Sequence, residues 1–263
     1  MQMLESLEII DQQVKKWMQE ARIKIVSSLD SSLDVTTKSG PNDLVTNIDR
    51  EVEEFYKTKI LEFYPKSGII GEESSHELDE PQRKKLLWVI DPIDGTMNFV
   101  KQKDHFASMI AIYQNGVGVR GYIYDLMQNK LYWGGPNIGV FCNNERLDPP
   151  CNQSLDKGLI GIGAPLLIGN YHNLQKAALE SSGTRIYGCS GIQFIHVLNG
   201  QCAAYISYLR PWDYAAGKVL AETLGLVVKT IDGNPIDMLS SSDVLVATKN
   251  AQKDITRIVQ STY

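Results

Sequence analysis

Nothing in this chain approaches the ~18 consecutive apolar residues that a membrane-crossing helix requires, so no transmembrane segment is expected. Cysteine is scarce. Cys142, Cys151, Cys189 and Cys202 form no CxxC pair, which excludes the usual zinc and dithiol motifs and suits reduced thiols in cytoplasm. The four histidines, His76, His105, His172 and His196, show no metal-ligand spacing. Positive charge is in the minority, 26 Lys and Arg against 31 Asp and Glu for a net charge of -5, and no basic block occurs, which argues against a nucleic-acid partner. The opening MQMLESLEIIDQQ carries Glu5, Glu8 and Asp11 where a secretory leader has basic residues and an apolar core, so no leader is expected. Internal repeats and low-complexity tracts are also missing. Gly116-Val117-Gly118 lacks the glycine pattern of a dinucleotide fingerprint and reads as a turn.

What is present suits a compact α/β protein of 263 residues, long enough to bury a sizeable core. Leu4, Leu7, Val14, Met18, Ala21 and Ile25 recur at helical spacing and predict an amphipathic helix over residues 2 to 28. A second helix starts near Asp49 and ends at Pro65-Lys66-Ser67-Gly68. Brief strands follow at Ile69-Ile70 and at Leu86 to Ile90, then alternating apolar groups between Ser108 and Trp133 predict antiparallel strands. Beyond Pro149-Pro150 the pattern changes to strands near 159–162, 186, 203–207, 227 and 244, alternating with helices near 170–182, 191–199 and 214–224. The expected organisation is two halves, 1–148 with a mostly antiparallel sheet and 149–263 of α/β type, joined around one site.

Five acidic residues stand beside turn or strand-end signals: Asp49 in DLVTNID, Glu72 in GEES, Asp91 and Asp94 in DPIDGT, and Asp213 in PWDYAAG. Taken singly, such residues are commonly solvated turn groups or helix caps. The DPIDGT stretch is more pointed. A buried strand ending at Ile90 delivers Asp91 to the sheet's C-terminal edge, and Pro92 and Gly95 shape a loop that offers carboxylates, a carbonyl and free amides together. Should four carboxylates converge, each pair at roughly 4 Å in an effective dielectric near 20 repels by about 4 kcal/mol, so their pKa values rise or cations neutralise them. An all-oxygen set without Cys or His selects Mg2+ or Mn2+ over zinc.

DLVTNID, GEES, DPIDGTMNF and WDYAAG, in this order and spanning essentially the whole chain, resemble the inositol monophosphatase family of lithium-sensitive, Mg2+-dependent phosphatases. The resemblance implies a layered αβαβα sandwich, related to fructose-1,6-bisphosphatase, and commonly a homodimer. It implies that Glu72, Asp91, Asp94, Asp213 and the Ile93 carbonyl hold two or three Mg2+ ions, with the Gly95 and Thr96 amides on the phosphate of a small phosphorylated metabolite. It further implies attack by a metal-activated water without a phosphoenzyme, the water being oriented by Glu72 and Thr96 while Asp49 accepts a hydrogen bond from the Thr96 hydroxyl. By the same resemblance Lys38 lies near phosphate or metal and Ser190 near the substrate. Asp43, in the same block as Asp49, reads as a structural turn or a group supporting the ligands from behind and not as a ligand.

Two positions depart from inositol-selective relatives. A glutamate that contacts sugar hydroxyls seven residues before the WD aspartate falls at Ile206 here, and a histidine three residues before it falls at Arg210. A permanent planar cation suits a second anionic group. That opens NADP(H) 2'-phosphatase or fructose-1,6-bisphosphatase activity as an alternative to plain inositol monophosphatase. A haloacid-dehalogenase phosphatase is disfavoured, because its two aspartates stand two residues apart near the chain start. A catalytically silent metal- or phosphate-binding regulator is the alternative of another class, and the intact Glu72, Asp91, Asp94, Thr96 and Asp213 speak against it.

Overall fold

A computed structural model describes residues 2–30, 34–37, 44–73 and 86–261. Lys38, Asp43, His76 and most of the polar loop after GEES lie outside these described residues.

Helix α1 (Gln2–Ser28) buries Leu7, Val14, Met18, Ala21 and Ile25 along one stripe. A short antiparallel pair, β1 (Val35–Thr37) and β2 (Leu44–Thr46), leads into α2 (Asn47–Phe63). Thr46 caps α2: its hydroxyl accepts the Asp49 amide, and the Asp49 carboxylate accepts the Thr46 amide, so both orphan donors are satisfied. The two helices cover one face of a seven-stranded sheet built from β3 (Gly68–Gly71), β4 (Leu86–Asp94), β5 (Ala107–Gln114), β6 (Val117–Asp125), β7 (Lys130–Gly135), β8 (Gly139–Cys142) and β9 (Glu145–Arg146), in that spatial order. The β3–β4 pair is parallel and the remaining pairs are antiparallel. A six-residue helix, α3 (Thr96–Lys101), follows β4.

Strand alternation distributes the core. Trp88, Ile90, Ile110, Ile112 and Tyr122 face α1 and α2, whereas Leu87, Val89, Met109, Ala111 and Ile123 face inward onto α6 (Ser190–Leu198) and α7 (Pro211–Thr223). On the far side of those helices lies a five-stranded mixed sheet, in the order β11 (Gly183–Arg185), β10 (Leu159–Ile162), β12 (Ala204–Leu209), β14 (Ser242–Ala247), β13 (Val227–Thr230). Its outer face, through Ile160, Ile162, Ile206 and Leu245, buries against α4 (Ala164–Ile168), α5 (Leu174–Glu180) and α8 (Lys249–Gln260). Five layers thus stack as αβαβα.

The structure departs from the sequence reading in several places. The strand expected to stop at Ile90 runs on to Asp94. The helix expected over 170–182 is shorter, Leu174–Glu180, because Asn170, His172 and Asn173 adopt positive φ just ahead of it. The helix expected from 214 begins at Pro211, whose fixed φ suits a first helical position. Helix α8 was not anticipated, although Ala251, Ile255, Ile258 and Val259 have helical spacing and Thr248 caps it.

Candidate active site

In a regular strand Asp91 and Asp94 would point to opposite faces. Here Asp91 pairs with Met109 while Asp94 pairs with Ala107, so β4 carries one extra residue against β5. That bulge, which holds Pro92 and Ile93, brings both carboxylates to one side. Asp213 joins them from the first turn of α7, and single carboxylate oxygens of Asp91, Asp94 and Asp213 all lie within 4.8 Å of one another.

Each acid is held differently. One Asp213 oxygen accepts the Arg210 amide at 2.8 Å, which fixes the carboxylate at its helix start. Asp94 sits at the N-terminus of α6, where it accepts the amides of Ser190 (3.2 Å) and Gly191 (2.5 Å), the Ser190 hydroxyl (3.0 Å) and the Cys189 thiol (3.0 Å). The Ser190 hydroxyl also lies 2.9 Å from the Asp213 carbonyl, so it sits between the two acids. Asp91 is 1 % exposed, yet neither of its carboxylate oxygens has a hydrogen-bond partner among the described residues. Glu72 directly follows β3 and lines the same cavity as these acids.

Thr96 opens α3, and its hydroxyl lies 3.0 Å from both the Asp49 carboxylate and the Ile93 carbonyl. Gly95 precedes it at φ +84°, and a Cβ there would come within 2.9 Å of the Cys189 Cβ, so both backbone and space demand glycine. Asp49 is fully buried, its other oxygen taken by the Thr46 cap.

Burial raises the Asp91 carboxyl well above the ordinary carboxylate range, and Glu72, Asp94, Asp213 and Asp49 push it further. Asp213 is likewise raised well above that range, by burial and then by Asp94, partly offset by the Arg210 amide. Asp94 is raised by burial and eased by its four donors. A buried, unpartnered carboxylate among other acids has no internal compensation, whereas a hard divalent cation supplies it. The all-oxygen donor set therefore fits Mg2+.

The sign of the pH dependence follows. A carboxyl whose folded pKa is raised keeps a proton that the unfolded chain releases, so without cation the fold loses stability as pH rises from about 4 through the raised values. A cation bound to the ionised set would reverse that loss. Mg2+ at about a hundred times its dissociation constant should raise the melting temperature by roughly 5–10 °C at pH 8, and by clearly less at pH 5.5. Thermal unfolding with Mg2+ or EDTA checks this, and equal shifts at both pH values would contradict it.

Two cavities share Asp94, Gly188 and Asp213 as common walls. The smaller, about 180 Å³, contains Glu72, Asp91, Ile93, Gly95 and Thr96. The larger, about 280 Å³, is lined by Ile162, Pro165, Ile186, Ser190, Tyr205 and Ser207 among others, with no Lys, Arg or His among the described residues. A still larger cavity of about 420 Å³, beside Arg146 and Glu222, has no converging carboxylates among the described residues, so size does not locate the chemistry. Strand alternation settles the position of residue 206: Ile206 is fully buried in the outer core, while Tyr205 and Ser207 line the cavity. Arg210 is exposed at the cap of α7, its guanidinium 5.6 Å from the Trp212 ring, and it lines neither cavity.

Sequence reasoning overlooked Cys189 and the α6 amides that hold Asp94. The run of small residues in Gly188-Cys189-Ser190-Gly191 before an apolar helix was the available signal. Glu53, one turn beyond Asp49 on the buried face of α2, was also overlooked.

Comparison with known proteins agrees with this geometry. Residues 3–262 match the model of the inositol monophosphatase family. An inositol-1-monophosphatase of Bacillus subtilis (strain 168) is 39% identical over 256 residues, covering 94% of each chain. A crystal structure of an IMPase/NADP phosphatase complexed with Mg2+ and phosphate superposes with a TM-score of 0.90 at 29% identity, covering 96% of this chain and 95% of that one. A dual-specific IMPase/NADP phosphatase bound with D-inositol-1-phosphate gives 0.87 at 29% identity over the same shares.

Proposed function

The chain belongs to the inositol monophosphatase family and is a Mg2+-dependent phosphomonoesterase; from that premise we propose that its substrate is an inositol monophosphate or a similar phosphorylated polyol. The observation that carries the site assignment is the buried, unpartnered Asp91 carboxylate within 4.8 Å of Asp94 and Asp213 oxygens. Glu72, Asp91, Asp94, Asp213 and the Ile93 carbonyl would hold two or three Mg2+ ions, with Mn2+ as a substitute. Both halves contribute, the acids up to Asp94 from 1–148 and Asp213 from 149–263.

Mg2+ held by these residues would supply Lewis-acid chemistry, making a water easier to deprotonate and offsetting charge on the phosphate and the leaving oxygen. The protein supplies orientation. When the Thr96 hydroxyl donates to Asp49, its oxygen keeps a lone pair for a water O–H, and Glu72 in the same cavity accepts the other proton. The Gly95 and Thr96 amides would bind the phosphate. Hydrolysis then needs no protein nucleophile, so no phosphoenzyme forms. Ser190, with its hydroxyl placed between Asp94 and Asp213, supports the acids more directly than it meets the substrate.

The larger cavity, next to Asp94 and Asp213, would receive the leaving group. Beyond Asp94 and Asp213 themselves, its lining among the described residues is apolar or neutral polar, which favours an uncharged polyol over a second phosphate, and Ser207 offers a hydroxyl to it. Arg210 favours the other reading, NADP(H) or fructose 1,6-bisphosphate, because it places an exposed guanidinium beside Trp212 at the start of the helix that carries Asp213. Relative kcat/KM on inositol 1-phosphate, NADP+ and fructose 1,6-bisphosphate decides. Inositol 1-phosphate is expected to lead, with Arg210→Ala lowering only the doubly charged substrates, about fivefold as for an exposed charge contact. NADP+ turned over faster than inositol 1-phosphate would overturn the polyol assignment, and an unchanged ratio in Arg210→Ala would remove Arg210 from substrate selection. The four free cysteines support a cytoplasmic setting. A homodimer is the assembly expected from the family, which light scattering of the purified protein would test.

A further inference from the structure

We infer that α2 is the frame that positions the reacting end of the site, and that Glu53 is its positioning residue for Glu72. Asp49, Glu53 and Tyr56 occupy positions i, i+4 and i+7 of α2, which places them in one stripe on its buried face. Each reaches a different part of the site. Asp49 accepts from the Thr96 hydroxyl at 3.0 Å. Tyr56 shares a 3.0 Å hydrogen bond with Ser108, whose hydroxyl lies 3.3 Å from the Asp91 carbonyl at the bulge. Glu53 accepts the Glu73 amide at 2.7 Å.

Glu53 is only 1 % exposed. Its charge is matched locally by Lys57, 2.8 Å away and also largely buried. Its carboxylate lies flat against Gly71, where a built Cβ would stand 2.7 Å from the carboxyl carbon. The loop that carries Glu72 is therefore gripped on both sides, at Gly71 by close packing and at Glu73 by a charge-assisted hydrogen bond. Glu72 lies between the two grips. Because the same helix face holds Thr96 through Asp49, the distance between the two groups that orient the water is set by one rigid turn of helix. Side chains that orient such a site from behind commonly matter 10- to 100-fold in activity or metal affinity.

The inference rests on the phosphatase reading and is tested on the intact enzyme with inositol 1-phosphate. Glu53→Ala should lower kcat by about 10- to 100-fold, leave KM within about threefold, and raise the Mg2+ concentration that gives half-maximal thermal stabilisation. Glu53→Gln, whose amide oxygen can still accept the Glu73 N–H, should recover most of kcat. A purely structural role for Glu53 would lower the melting temperature without the kcat-against-KM split or the shift in Mg2+ demand. Gly71→Ala, which forces the carboxylate away while keeping its charge, covers the case in which Glu53→Ala does not fold. It should reproduce the kcat loss. Wild-type kcat and Mg2+ demand in a folded Glu53→Ala or Gly71→Ala protein would overturn the inference, as would a Glu53→Gln enzyme no better than Glu53→Ala. Wild-type enzyme silent on every phosphomonoester would instead sink the phosphatase reading itself, so the two failures are distinct.

Discussion

Asp91→Asn should lower kcat/KM by about 1000-fold or more, equivalent to ~4 kcal/mol of transition-state stabilisation, while making the cation-free protein more stable. The two effects share one cause. Asp91 is buried among Glu72, Asp94, Asp213 and Asp49 with no hydrogen-bond partner among the described residues, so its charge is unfavourable until a cation arrives. An amide removes the repulsion and, with it, the ligand. Without Mg2+ the variant should melt a few degrees above wild type at pH 8, since relief of about 1–2 kcal/mol in a chain of this size corresponds to roughly 2–4 °C per kcal/mol. It should also lose most of the Mg2+-induced shift. Scanning calorimetry in EDTA and in Mg2+ reads both. Lower stability than wild type in EDTA would mean that Asp91 is a compensated structural group, contrary to the assignment.

The second large effect is expected at Thr96. Thr96→Ala removes a hydroxyl that lies 3.0 Å from Asp49 and from the Ile93 carbonyl, and should lower kcat by about 100- to 1000-fold, in the range seen when a positioned proton acceptor is lost. Mg2+ binding should persist, because the carboxylate set is untouched. Thr96→Ser restores the hydroxyl and should recover most of the rate. Calorimetric Mg2+ titration beside steady-state kinetics separates the outcomes. A Thr96→Ala enzyme that fails to bind Mg2+ would show that the residue builds the metal site, and undiminished kcat would remove it from the water's environment.

Much of this site was legible in residue order alone. Asp91, Asp94 and Asp213 beside Gly and Pro announced carboxylates at element ends, and the absence of Cys and His near them announced a hard cation. The way the acids meet was not legible. A register shift between β4 and β5 turns Asp91 and Asp94 to one side, and a bulge is a property of two paired strands, visible only once Met109 and Ala107 are known as partners. Counting back from the WD aspartate landed on Ile206, whereas pleating directs that side chain into the outer core and leaves Ser207 at the cavity. Some signals were readable but unread. Glu53 stands one helical turn from Asp49, and α8 carries its apolar residues at helical spacing. The late start of α5 was harder to see, since left-handed Asn170, His172 and Asn173 displace its first turn from residue 170 to Leu174.

Phosphate release from inositol 1-phosphate, followed across a Mg2+ titration in wild type and Asp91→Asn, tests the central claim most directly. The account predicts no release in EDTA, a saturable rise with Mg2+ in wild type, and a nearly flat response in Asp91→Asn. Turnover that ignores EDTA, or an Asp91→Asn enzyme that follows wild type, would contradict it.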